Sequence, residues 1–105
     1  DISYVGALTH LIKNNIEKIY ITSSIDSNEV RSFLKKMEDC MNDGQIIFEI
    51  GKSILRDADS LQAFTQSQGV IFVEQMGKSY MQDIYQEIDC CTKYQVFNLV
   101  VVTIE

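Results

Sequence analysis

The chain has 105 residues, of which 46% are hydrophobic and 23% charged, the balance of one soluble globular domain with a single core. No stretch reaches the ~18 apolar residues that a membrane span requires. Fifteen acidic against nine basic residues leave a net charge of -6, which argues against nucleic acid or an anionic membrane surface as the main partner, since both demand clustered Lys and Arg.

Helical patterns alternate with strand-like runs. Val5, Leu8, Leu11 and Ile12 recur at helical spacing and predict an amphipathic helix ending near Asn14-Asn15. The β-branched and aromatic run Lys18-Ile19-Tyr20-Ile21-Thr22-Ser23-Ser24 follows, and predicts the central strand of a parallel sheet. Asp26 or Ser27 caps the next helix, with Glu29 placed to complete a capping box behind Asp26. Val30, Phe33, Leu34, Met37 and Met41 make its apolar face, and Asn42-Asp43-Gly44 ends it. The second strand, Gln45-Ile46-Ile47-Phe48-Glu49-Ile50, is nearly continuous in apolar residues, as expected where helices cover both sheet faces.

Gly51 breaks that strand. After a loop through Leu55, Asp57 or Asp59 caps a helix carrying Ala58, Leu61 and Phe64, which ends around Gln68-Gly69. The third strand is Val70 to Glu74, and Gly77 turns the chain after it. Ser79 with Gln82 fits a capping box, and Met81, Ile84, Tyr85, Ile88 and Cys91 form the expected inward face of the longest helix. Val96 to Ile104 is the last strand. Regular alternation with short connections predicts a parallel sheet built from right-handed crossovers. The start at Asp1, without Met, and the end inside an apolar run read as a segment of a longer protein, with any membrane anchor outside it.

In such folds ligands gather at the carboxyl ends of the strands, where a following helix offers free amides. Ser23, Ser24, Asp26 and Ser27 are therefore the candidate cleft residues. The loop from Ser24 to Asn28 has no Gly and no Lys, so it cannot wrap a phosphate as a P-loop does. Gly51-Lys52-Ser53 and Gly77-Lys78-Ser79 imitate the tail of such a loop, but the Gly required five residues earlier is Ile46 in one and Phe72 in the other. Both read as strand-to-helix turns. Glu49, Asp57, Asp59 and Glu74 lie near the expected carboxyl edge, where a carboxylate pair or metal clamp is conceivable, although capping explains Asp57 and Asp59 more simply. The three cysteines fall in helical stretches and read as reduced thiols of a cytosolic domain. Adjacent Cys90 and Cys91 diverge on a helix, so they do not form a metal site with the single His10, and neither metal nor cofactor is expected.

The run Lys18 to Ser24, preceded by a helix, resembles the entry to the phosphate-binding loop of the bacterial tyrosine kinases of capsule and exopolysaccharide synthesis. Asp59-Ser60-Leu61-Gln62-Ala63-Phe64 through Gly69-Val70-Ile71-Phe72-Val73-Glu74-Gln75-Met76-Gly77-Lys78-Ser79 is similar to that family's stretch after its second catalytic acid, and Val96 to Val101 resembles its next strand. The resemblance implies a Rossmann-like, three-layer α/β/α sandwich with a four-stranded parallel sheet in the order 2-1-3-4. The family's Gly-x-x-x-x-Gly-Lys-Ser/Thr is replaced by Ile25-Asp26-Ser27-Asn28-Glu29, and its catalytic Asp by Glu49-Ile50-Gly51. The first helix lacks the family's oligomerisation motif, and there is no tyrosine-rich tail.

By this resemblance the chain is a degenerate, non-catalytic docking or assembly domain of a polysaccharide chain-length determinant, on the cytoplasmic side of the cell membrane. Its implied partners are proteins of that assembly machinery, and the apolar sheet edge carrying Val96, Leu99, Val100 and Val101 is expected to be covered either by another copy of the chain or by residues beyond Glu105 in a longer protein. A small-ligand or nucleotide sensor without hydrolysis, and an enzyme of flavodoxin-like design, are the alternatives, because this architecture serves many functions.

Overall fold

A computed structural model describes residues 17–41 and 46–105. The expected first helix through Val5 to Ile12, His10, the Asn42-Asp43-Gly44 stop and Gln45 lie outside the described residues. Four strands, β1 (Lys18–Thr22), β2 (Ile47–Ile50), β3 (Gly69–Gln75) and β4 (Phe97–Ile104), alternate with helices α1 (Asn28–Met41), α2 (Ala58–Thr65) and α3 (Met81–Tyr94). The strands form one sheet in the order β2-β1-β3-β4, and every pair is parallel. This is the Rossmann-like α/β arrangement and strand order expected from the sequence.

The central strands β1 and β3 are buried on both faces because both alternating sets of side chains are apolar. On one face Ile19, Ile21, Ile71 and Val73 pack beneath Val30, Leu34, Met37 and Met41 of α1. On the other, Tyr20, Val70 and Phe72 meet Phe64 of α2 and Cys91 of α3. There the Tyr20 and Phe64 rings pack edge to face, with centroids 6.5 Å apart. The edge strands are only half covered, as the burial of β2 and β4 shows.

Of the two expected caps of α1, Ser27 is the one that forms: its Oγ accepts the Val30 amide at 3.1 Å, while Asp26 pairs with Arg31 at 2.9 Å. Asp57 caps α2, accepting the Ser60 amide at 2.9 Å, and that helix stops at Thr65, three residues short of Gln68. The Ser79–Gln82 box does not form; the residue before α3 is Tyr80, which makes no side-chain cap bond. The Ser79 hydroxyl is engaged instead by the Gln75 amide, at 2.9 Å, and by Glu74, at 2.8 Å.

The inward face of α3 is also rotated from the expected one. Met81 and Tyr85 stand in solvent, and Ile84 and Ile88 are half-buried; the fully buried residues are Glu87 and Cys91. An acidic residue thus occupies a position that hydrophobic spacing assigns to the core. Val96 is also in the core, immediately before β4, whereas Leu99, Val100 and Val101 remain half-buried on the edge strand.

Candidate functional site

The carboxyl ends of β1 and β2, the start of α1 and the start of α3 surround a cleft of about 790 Å³. Its walls include Ser23, Ser24, Ile25, Asp26, Val30, Leu34, Ile50, Arg56 and Tyr80. Of the four residues singled out from the sequence, Ser23, Ser24 and Asp26 line this cleft. Ser27 lines a shallower hollow of about 500 Å³ at the start of α1, together with Asp26, Glu29 and Lys78. Among the described residues, no three His, Cys, Asp or Glu side chains converge to hold a metal ion.

The turn after β1 is held by its own hydroxyls. Ser23 Oγ accepts the Ile25 amide at 3.2 Å, a serine turn that ends the strand. Thr22 Oγ1 donates to the Lys52 carbonyl at 2.7 Å, tying the end of β1 to the connection after β2. Ser27 Oγ donates to Gln75 Oε1 at 2.7 Å and so ties the start of α1 to the end of β3.

The group at the centre of this edge is Glu74. Its side chain is almost wholly buried, and its oxygens accept the Ser24 amide at 3.2 and 3.3 Å, the Ser24 hydroxyl, and the Ser79 hydroxyl at 2.8 Å. Between β1 and β3 the chain connections diverge, one leading back to β2 and the other outward to β4. That is the switch point at which open α/β sheets bind ligands. Here the crevice holds a carboxylate of the protein itself.

Arg56 spans the next gap. Its Nη1 donates to the Ser24 carbonyl at 2.9 Å and its Nη2 pairs with Asp83 of α3 at 2.8 Å. Glu87, one turn further along α3, has no hydrogen-bond partner for either carboxyl oxygen among the described residues. Burial, and then the facing Glu74 carboxylate, push its carboxyl from an ordinary 4.5 up to about 10. The Asp57 carboxyl is held below its usual range by the Ser60 hydroxyl and amide. Burial raises the Tyr20 phenol, against the opposing effect of its hydrogen bond with Ser60.

Both glycines of the apparent phosphate-loop tails have other reasons to be glycine. A Cβ on Gly51 would stand 1.3 Å from the Tyr20 hydroxyl oxygen, so the backbone there passes directly against a buried ring. Gly77 has φ +79°, a left-handed turn that leads out of β3. Glu49, a second acid placed near this edge by the sequence, pairs with Lys18 at 3.0 Å and does not reach Glu74.

Sequence reasoning placed Glu74 at the carboxyl edge but missed Glu87, Arg56 and Tyr80. Glu87 carried a signal, since it lies four residues before Cys91 and three after Ile84 on the inward stripe; its charge alone kept it off the expected core. No family model, curated protein or solved structure matches the chain.

Proposed function

We propose that the chain is a non-catalytic docking and assembly domain, related to bacterial tyrosine kinases and serving a polysaccharide chain-length determinant at the cytoplasmic side of a membrane. One observation carries the non-catalytic part of this reading: the amide and hydroxyl of Ser24, which would face an incoming phosphate, are spent on the Glu74 carboxylate. A phosphate would have to displace a buried anion whose charge repels it. Asp26 and Glu29 add negative charge beside the first turn of α1. Exposed Met76, Tyr80, Met81 and Tyr85 gather where β3 ends and α3 begins, and they support docking, because large apolar and aromatic side chains in solvent mark interaction surfaces. Self-association through Leu99, Val100 and Val101 is part of the same proposal.

Titration calorimetry with Mg-ATP tests the reading, with no binding expected at up to millimolar nucleotide. Micromolar binding with measurable turnover would overturn it. In the intact protein, Tyr80→Ala with Tyr85→Ala should broaden the polysaccharide length distribution seen on gels, and an unchanged distribution removes the docking role from this patch. The second reading, a small-ligand sensor without hydrolysis, is favoured by the cleft itself, with apolar Val30, Leu34 and Ile50 opposite Arg56. A thermal-shift screen that raises the melting temperature of the wild type but not of Leu34→Arg would favour it over docking.

A further inference from the structure

Two carboxyl groups meet inside this domain. Glu74 follows Val70 and Phe72 at alternate positions of β3, so its side chain lies on the sheet face that carries those two residues. Glu87 precedes Cys91 by one helical turn on α3, and Cys91 packs against that same face. Glu74 is 2% exposed and Glu87 0%. Neither can be solvated, and two ionised carboxylates side by side in the interior repel each other.

Their surroundings are unequal. Glu74 accepts hydrogen bonds from the Ser24 amide and from the hydroxyls of Ser24 and Ser79. Glu87 receives no hydrogen bond from any described residue. The group facing it is an acceptor, and two acceptors are joined only when a proton lies between them.

We propose that Glu87 keeps its proton at neutral pH and donates it to Glu74, and that this single O–H···O bond locks α3 to the turn after β1. No covalent bond is made or broken; one proton stays on a Glu87 oxygen and points at a Glu74 oxygen. The lock closes a ring. From the Ser24 amide it runs to Glu74, across the shared proton to Glu87, along α3 to Asp83, and through Arg56 back to the Ser24 carbonyl. The ring joins β1, β3, α3 and the connection after β2, the same segments that frame the cleft. It deepens the proposed function: a domain that no longer moves phosphate still needs its cleft edge held in one shape for a partner.

The charged and titratable groups around Glu87 agree with this placement. Burial and the Glu74 carboxylate hold the Glu87 proton most strongly, Asp83 on its own helix adds to them, and Arg56 from the connection after β2 opposes them. The thiols of Cys90 and Cys91, the next titratable groups along α3, are themselves pushed upward, chiefly by burial.

Carbon-13 NMR of the glutamate carboxyls, in the whole chain across about pH 3 to 11, tests the proposal without any mutation. Glu87 should keep the shift of a protonated acid through neutral pH and titrate only on the alkaline side, and the Ser24 amide resonance should move in that same step. Glu87 titrating together with exposed carboxylates such as Glu29 would overturn the lock. In Glu87→Gln, whose amide can still donate to Glu74, the Ser24 amide should stay at its wild-type neutral position and lose the alkaline step; a step that persists would equally overturn it. Neither readout depends on ATP or on a docking partner, so failure here is distinct from failure of the proposed function.

Discussion

Gly51→Ala is the sharpest test of how the cleft edge is built. The added Cβ falls 1.3 Å from the Tyr20 hydroxyl oxygen and 2.1 Å from the ring carbon that carries it, so the two cannot coexist without movement. Tyr20 is 1% exposed and packs edge to face on Phe64, which leaves the ring nowhere to swing. The backbone of Gly51 is held as well, since its amide donates to the Ile21 carbonyl at 3.1 Å. Overpacking a filled core costs roughly 1–3 kcal/mol, and an overlap this deep against a rigid ring belongs at the upper end, about 3 kcal/mol. For a domain of this size that corresponds to a fall of about 15 °C in melting temperature. Urea unfolding followed by circular dichroism reads it, the chain having no Trp for fluorescence. Repeating the substitution in a Tyr20→Leu background should remove most of the penalty, because the shorter side chain vacates the space. A loss below about 0.5 kcal/mol in the wild-type background, or an equal loss in both backgrounds, would refute the reasoning.

Glu87→Gln should alter how stability depends on pH. Glu87 is raised from 4.5 to about 10 in the folded chain, so the folded state keeps a proton that the unfolded state releases, and its contribution, complete below pH 4.5, is lost as pH rises through 10. The wild type should therefore lose up to about 3 kcal/mol relative to Glu87→Gln between pH 6 and 8; a difference between the two proteins that does not change with pH refutes this. Gln95, with φ 58°, ends α3 in a left-handed conformation, and Gln95→Gly should stabilise the domain by about 0.5–1 kcal/mol in the same unfolding assay. A destabilised variant would show that the Gln95 side chain makes up for that backbone. Val100→Lys, on the half-covered edge strand, should abolish any concentration-dependent rise in mass measured by light scattering, and an unaltered rise removes β4 from the proposed self-association.

The sheet was legible in the sequence wherever one kind of residue had one explanation. Ile19 to Thr22 and Val70 to Val73 could only be strands covered on both sides, and they are. Strand order needed more than pattern: apolar runs alone do not say that Lys18 pairs with Ile47 and Ile19 with Gly69. Caps were legible to within two neighbouring candidates, as with Asp57 and Ser27. They failed where a distant partner claimed the hydroxyl, as Glu74 does at Ser79. The site itself was half visible. Ser23 and Ser24 were placed at the edge, but the meeting of Ser24 with Glu74 spans 50 positions of sequence, and nothing local announces it. Glu87 was hidden by a sound rule, that charged residues stay out of cores, which a protonated carboxyl escapes.

The all-parallel sheet also shapes how the chain folds. No two neighbouring strands are joined by a hairpin: partners in β1–β2 and β3–β4 lie about thirty residues apart, and those in β1–β3 about fifty. Every pairing must therefore wait for a sizeable loop to close, and a sheet of this kind forms slowly for its length. The β3–α3–β4 unit has the longest register, from Gly69–Phe97 to Gln75–Ile104, behind one of the shorter closures. It is the natural nucleus, with β1 then joining β3 across the widest gap. Substitutions such as Val102→Ala should accordingly slow folding, while Ile50→Val in β2 should chiefly speed unfolding; the reverse pattern in a kinetic series would place the nucleus in the first half of the chain. The Ser24–Glu74 contact would thus be among the late ones to form, and the cleft takes shape only once the rest of the sheet is in place.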